Sequence, residues 1–251
     1  MTDAELLEEV IVTPRRAFPR LPDLEVIERP GWLQIVTPSI TSGGMNEVIY
    51  ARLEAETADA AIDAAVATYR ERGLKFRWAV APGSAPADLG ERLARRGLVP
   101  SWGRGMARST DAVASVARPE LAVTEVDSGS LSMYTAVMAA GWSADPVGLH
   151  ALHEHLLDDG RPRLFLASSE GVPAAAASYI PFARSAFLMG AVVLPTHRGR
   201  GLYRALVQAR LVHARAAGIG LATTHASEAT SAPILAQLGF ATVCRFQMFF
   251  G

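Results

Sequence analysis

The sequence has one lysine, one cysteine and no long apolar run, and each scarcity removes a class of protein. Cys244 alone cannot build a disulfide framework or a multi-cysteine zinc site, and it suits a reducing compartment. No apolar stretch approaches the ~20 residues of a membrane helix. The N-terminal MTDAELLEEVIV is acidic and lacks the basic lead of a secretory signal. These absences predict a soluble, cytoplasmic protein with no membrane partner. An excess of charge is missing too. The 24 Lys+Arg face 25 Asp+Glu, and the balance holds on both sides of residue 119, with 15 basic and 16 acidic residues before it and 9 of each after it. Neither half has the basic surplus that phosphate neutralisation on nucleic acid needs. With Lys75 the only lysine, nearly all the positive charge is arginine.

What is present is enough apolar material for a real core: 50% of 251 residues are hydrophobic. A chain of this length makes one large domain or two small ones and buries about three quarters of its unfolded surface without a staple. Residues 1–30 are punctuated by Pro and Arg and read as an irregular lead-in. Residues 32–40 and 46–53 read as strands split by the turn residues TSGG. A helical spacing runs over 57–72, with Ile62, Val66 and Tyr69 on one face and Gly73 as a stop. A strand at 76–80, a helix at 86–96 and an extended segment at 98–108 follow. Residues 109–120 are small, polar and Pro-interrupted, and read as a linker. Beyond them come a strand at 121–126, one or two helices within 128–158, strands at 163–168, 173–181 and 185–194, a helix at 201–217, a strand at 220–225, a helix at 230–238 and a closing strand from 241. Strands alternating with helices argue for a mixed α/β sheet. The order of elements in 71–99 echoes that in 214–243, which suggests a repeat.

The chemistry is concentrated in GAVVLPTHRGRGLYRALVQA, where an apolar strand runs into His197-Arg198-Gly199-Arg200-Gly201 and a helix starts at once. Glycine lets backbone amides approach an anion without a Cβ in the way. The helix N-terminus adds about half a positive charge and a turn of unpaired N–H groups. Arg198 and Arg200 add mobile guanidinium beside it. A pyrophosphate is the natural occupant. A dinucleotide fingerprint and a Walker loop are both absent, since the first needs G-x-G-x-x-G and the second a lysine.

This segment resembles the acetyl-CoA pyrophosphate loop of the GNAT superfamily of acyl-CoA-dependent N-acyltransferases, whose pattern is [QR]-x-x-G-x-[GA]. Arg198 takes its first position, Gly201 its fourth and Tyr203 its sixth, where the family prefers Gly or Ala. SAPILAQLGF resembles the family's later helix with its terminal Gly-Phe. The resemblance implies a mixed, mostly antiparallel GNAT-type sheet flanked by helices, in two tandem halves. A degenerate GNAT-like domain would occupy 31–115 and an acetyl-CoA-binding GNAT domain 120–251, with ARLEAETADAA replacing the phosphate loop in the first.

By the same resemblance the thioester carbonyl would be polarised by backbone amides of Val192, Val193 and Leu194. The cofactor loop would comprise Arg198, Gly199, Arg200, Gly201, Leu202 and Tyr203. The family's leaving-group acid, a Tyr four residues before the Gly-Phe, is replaced by Leu235. Water or Ser231 would then protonate the thiolate, or it would leave unassisted. The strand before the loop lacks the acid that many members use as a base. His225, at a strand end, is the candidate base, with Glu228 just beyond. Trp142, Asp145 and His150 are candidates for the acceptor pocket. His150 and His153 share a helix face with Glu154, but a third anchored ligand is missing, so no metal is expected. The implied activity is N-acetyl transfer from acetyl-CoA directly to a primary amine, with a small-molecule acceptor, in a monomer or homodimer. The alternatives are a non-catalytic acyl-CoA sensor and an aminoacyl-tRNA-dependent transferase, the latter opposed by the near-neutral charge of both halves.

Overall fold

A capping box opens the chain. The Thr2 hydroxyl accepts from the Glu5 amide at 3.2 Å, and the Glu5 carboxylate accepts from the Thr2 amide at 2.7 Å. This reciprocal pair satisfies two orphan donors and starts α1 (Asp3–Ile11), which α2 (Thr13–Arg16) and the strand β1 (Glu25–Arg29) follow. The stretch expected to be irregular, 1–30, is therefore structured. Thr2-x-x-Glu5 starts its helix, and burial of Val10 and Ile11 against the sheet holds that helix in place. The computed structural model describes residues 1–41, 44–111 and 120–251. Most of the expected linker (112–119) and part of the TSGG turn (42 and 43) lie outside the described residues.

The remaining elements of the first half are β2 (Trp32–Val36), β3 (Glu47–Ile49), α3 (Ala58–Glu71), β4 (Arg77–Val80), α4 (Leu89–Arg95) and β5 (Val99–Ser109). The strand expected over 46–53 stops at Ile49, because Tyr50 takes φ 41°, a left-handed conformation that ends a ladder. The second half has β6 (Leu121–Glu125), α5 (Leu131–Trp142), α6 (Pro146–Asp159), β7 (Arg163–Ser169), β8 (Val172–Pro181), β9 (Ala186–Val193), α7 (Leu202–Ala216), β10 (Leu221–Ser227), α8 (Ser231–Gln237) and β11 (Ala241–Phe250).

Among the described residues, eleven strands join one sheet in the order β1-β2-β3-β4-β11-β5-β10-β9-β8-β7-β6. Among the described residues, neighbours are antiparallel except at β3–β4 and β9–β10, each parallel pair being bridged by a helix, α3 or α7. Both ends of the sheet thus lead inward through an antiparallel meander and a parallel step. The last strand of each half then crosses over: β11 lies between β4 and β5, and β5 between β11 and β10. Cutting the chain between the halves would leave each without its neighbour's closing strand.

Helices cover both faces. Under α3 and α4 lies a core with Ile62, Tyr69, Trp78, Leu93 and Phe249. Under α7 and α8 lies one with Met106, Leu188, Leu206 and Leu235. The registers from Phe249 to Pro100, then along β5 to Met106, put both cores on the same face. Helices α1, α5 and α6 pack on the opposite face.

Candidate active site

The parallel ladder of β9 and β10 is short. It pairs Ala186 with Ala222, Phe187 with Thr223 and Leu188 with Thr224, and stops there. Beyond it β9 bulges: the register with β8 slips between Ala176 and Ser178, so that Gly190 and Ala191 together oppose Ala177. Gly190 takes φ 62°, which glycine adopts without a steric penalty. A Cβ there would also stand 3.2 Å from the Ser178 Oγ and 3.7 Å from the Trp142 ring. A bulge bends its strand, and β9 leaves β10. The gap is a cleft of about 400 Å³ lined by Met189, Gly190, Tyr203, Arg210, Ser231 and Leu235.

Three amides were expected to face this gap, and the hydrogen bonding corrects that. The Leu194 N–H donates to the Ala174 carbonyl at 2.8 Å, so it is spent on β8. Groups on an antiparallel strand alternate between its two edges. Val192 therefore points to β8 as well, and Val193 turns its N–H and C=O to the cleft. Consistent with this, the Arg198 Nε donates to the Val193 carbonyl at 3.4 Å.

The loop then runs through a single 3-10 turn, Pro195–His197. Gly199 and Gly201 take φ 79° and 89°. No atom lies within 4 Å of where a Gly199 Cβ would be, so the loop surface is open. The amides of residues 199–204 have no acceptor among the described residues, whereas Ala205 N–H already donates to Gly201 O at 3.0 Å. These free amides converge at the positive end of α7. Arg198 and Arg200 stand exposed beside them, Arg200 with only a distant Glu170 partner at 3.6 Å. Leu202 is buried in the core under α7, so it can offer a ligand only its backbone. The loop therefore fits a diphosphate.

Tyr203, on the first turn of α7, is directed into the cleft beside Ser231 and Leu235. Burial raises its pKa, against the Arg210 charge and the Ser231 hydroxyl, which lower it. Arg210 is itself buried, with no carboxylate partner among the described residues. Its guanidinium donates to the Leu206 and Ser178 carbonyls at 3.0 Å and to the Met189 carbonyl at 3.4 Å. Burial lowers its pKa to about 10, still well above neutrality.

Neither candidate base is free for that work. The His225 Nε2 donates to the Val10 carbonyl at 2.8 Å, and the ring lies between Phe187 and Phe246. Burial first, then the Arg15 charge, pulls its pKa down to about 3. It is a structural histidine that ties α1 to the sheet. Glu228 is gripped by Arg104 and Arg245, both at 2.9 Å. Hydrogen bonds from those two guanidinia lower its pKa and leave it a weak base.

Of the acceptor candidates, Trp142 lies over Gly190 and is half exposed. Asp145 is the N-cap of α6, accepting from the amides of Val147 and Gly148 at 3.2 and 3.0 Å, so its carboxylate is used structurally. His150 is half-buried on α6. Its neighbour His153 is buried, hydrogen-bonded through Nδ1 to the Thr135 hydroxyl at 2.9 Å, and lowered by burial to a pKa of about 4. Among the described residues no group of three His, Cys, Asp or Glu is placed to hold a metal.

Sequence reasoning missed Gly190, Met189 and Arg210. A lone glycine within SAFLMGAVVL is a bulge signal. Arg210 continues the i, i+4 stripe of Leu202 and Leu206, and an arginine on a buried stripe marks a polar interior.

Residues 131–240 match the model of the acetyltransferase (GNAT) family. This part of the chain is similar to GNAT acetyltransferase domains, a likeness that supports acyl transfer from acyl-CoA. No curated protein matches the sequence. Among solved structures, a conserved protein of unknown function from Staphylococcus epidermidis is similar with a TM-score of 0.72 at 14% identity, over 95% of this chain and 97% of that one. A GCN5-related N-acetyltransferase from Kribbella flavida has a TM-score of 0.68 at 14% identity, over 95% of both chains. A tandem GNAT protein from the clavulanic acid biosynthesis pathway has a TM-score of 0.59 at 13% identity, over 99% of this chain and 94% of that one. At such identities the likeness is one of fold.

Proposed function

We propose that this protein is a cytoplasmic N-acetyltransferase that moves the acetyl group of acetyl-CoA directly to the primary amine of a small molecule. The observation that carries this reading is the cleft between β9 and β10, which opens at Leu188 and ends on the unpaired amides of residues 199–204. A diphosphate on those amides places the attached pantetheine arm in the cleft, with its thioester beside the bulge. The first half, to residue 115, reads as a degenerate second copy of the 120–251 half. Between β3 and α3 it carries Glu54 and Glu56 with one arginine, Arg52, where the second half carries Arg198 and Arg200 and no acid between β9 and α7, so the second copy suits an anion better.

In this proposal the chain's own groups divide the work. The Val193 N–H donates to the thioester oxygen as charge develops on it. The amine nitrogen attacks the carbonyl carbon, and the carbon–sulfur bond breaks. The Tyr203 hydroxyl gives its proton to the departing sulfur, from a different helix than the one that bears Leu235. Arg210 and Ser231 steady the phenolate, which recovers a proton from the newly acylated nitrogen through solvent. The acceptor enters as the free amine, and no side chain is assigned as its base.

Release of free thiol from acetyl-CoA, measured with a panel of amines, tests the reading. Amine-dependent release supports it. Tight acetyl-CoA binding with no release for any amine overturns it in favour of a sensor.

A further inference from the structure

The sheet face opposite α7 holds a second cavity, of about 450 Å³. Its floor is one cross-strand row: Val26 faces Ile35, Ile35 faces Glu47 and Glu47 faces Arg77. Arg15 on α2, then Phe18 and Arg20 just after it, roof the row, and Met189 closes one end. Met189 lines the β9–β10 cleft as well, so the two spaces border the same residue of the bulged strand. A ligand in this cavity would reach the cleft from the side away from α7.

The cavity is cationic. Glu47 is the one acid in its lining, against Arg15, Arg20 and Arg77. The buried Glu47 carboxylate accepts from the Arg15 Nε at 2.6 Å and from an Arg77 Nη at 2.9 Å. Burial alone would raise its pKa, yet the two guanidinia hold it at about 2, so the carboxylate is already fully claimed. The Arg77 Nε is buried with no acceptor. Arg20 is exposed and has no partner among the described residues. One carboxylate thus serves two cations, and a third waits at the rim. The rest of the lining is apolar, with Phe18, Leu24, Val26, Ile35, Met45 and Met189.

We propose that this cavity anchors the acceptor, and that the acceptor is an amine carrying a carboxylate on an apolar body, in the manner of an apolar amino acid. The carboxylate sits against Arg20, the apolar body lies along the Val26–Ile35 floor, and the amine points past Met189 to the thioester. Planar guanidinium forks match a carboxylate in two-point contact. The inference rests on the amine acylation proposed above.

The test uses the full chain and matched probes: L-leucine, L-methionine and L-phenylalanine, each against its carboxamide. Calorimetry without acyl donor measures binding, and thiol release with acetyl-CoA measures turnover. At least one acid is expected to bind about tenfold or more tightly than its amide. Arg20→Ala, at an exposed site with no structural partner, is expected to erase that difference. Equal binding of acid and amide, an unaltered difference in Arg20→Ala, or no binding of any acid overturns the proposal. Arg20-dependent binding without turnover keeps the anchor and overturns amine acylation. Turnover of amines that ignores the carboxylate does the reverse.

Discussion

The Thr224 hydroxyl donates to the Leu188 carbonyl at 2.8 Å, on the last rung of the β9–β10 ladder. Two residues later, at Gly190, β9 begins its bulge, and the strands part. The opening therefore has a fixed start, set by a polar clasp and a left-handed glycine, and a fixed end, set by the free amides at the head of α7. An extended chain of pantetheine length needs such a slot, and an acyl group at its tip would lie beside the Val193 amide.

Reversing the charge of Arg198 tests the anion end. The Arg198→Glu variant sets a carboxylate against the diphosphate at an exposed site. Calorimetry should show the dissociation constant for CoA rising by about tenfold or more. An unchanged constant removes the loop from the binding site.

Loss of the Tyr203 hydroxyl tests the acid. Burial raises the phenol's pKa, so it keeps its proton through neutral and mildly alkaline pH and can still donate it. Tyr203→Phe should lower kcat by about 10²-fold with little change in CoA affinity. A kcat equal to wild type would leave the thiolate to depart with solvent alone.

Two buried histidines set a pH dependence of stability. His153 and His225 have folded pKa values of about 4 and about 3, against an ordinary 6.5. The unfolded chain thus binds protons that the folded one refuses. Their contribution is complete above pH 6.5 and drains as pH falls toward 4 and 3, at roughly 1.4 kcal/mol per pH unit for each. Glu47, held at about 2, adds a loss of the same sign only below about pH 4.5. Melting temperature measured from pH 7 to 5 should fall, and less so in His153→Gln than in wild type. A flat profile contradicts the burial. The same geometry predicts that the pH–rate curve has no limb assignable to His225.

Packing of α5 on the bulge is equally specific. A Cβ on Gly141 would lie 1.8 Å from a Val192 methyl, so the helix backbone is in contact with the strand. Gly141→Ala should cost about 1–3 kcal/mol in urea unfolding and widen or shift the cleft. A stability equal to wild type would mean that α5 can withdraw freely.

Much of the fold was readable because its periodicities are local. The helix over 57–72, the strand before the Arg198–Gly201 loop and the helix after it follow directly from spacing and punctuation. The Arg198–Gly201 loop stands out in the sequence because glycine and arginine occur together at a helix start, the pattern on which the proposed anion site rests. What escaped is non-local. Nothing near His225 in sequence shows that its imidazole meets the Val10 carbonyl 215 residues away, or that two phenylalanines enclose it. Nothing near Asp145 decides between a pocket carboxylate and a helix cap, though Pro146 after it favours the cap. The crossing of β5 and β11 depends on pairing across the whole chain. Thr2 and Glu5 did carry their capping signal, hidden by a lead-in whose prolines speak for disorder.

Diffraction from crystals soaked with acetyl-CoA tests the central claim most directly. The account predicts diphosphate oxygens 2.7–3.2 Å from amides of residues 199–204, and the pantetheine arm between β9 and β10, with its thioester oxygen toward the Val193 N–H. Density for the ligand elsewhere, with the Tyr203 ring still filling the cleft, would contradict it.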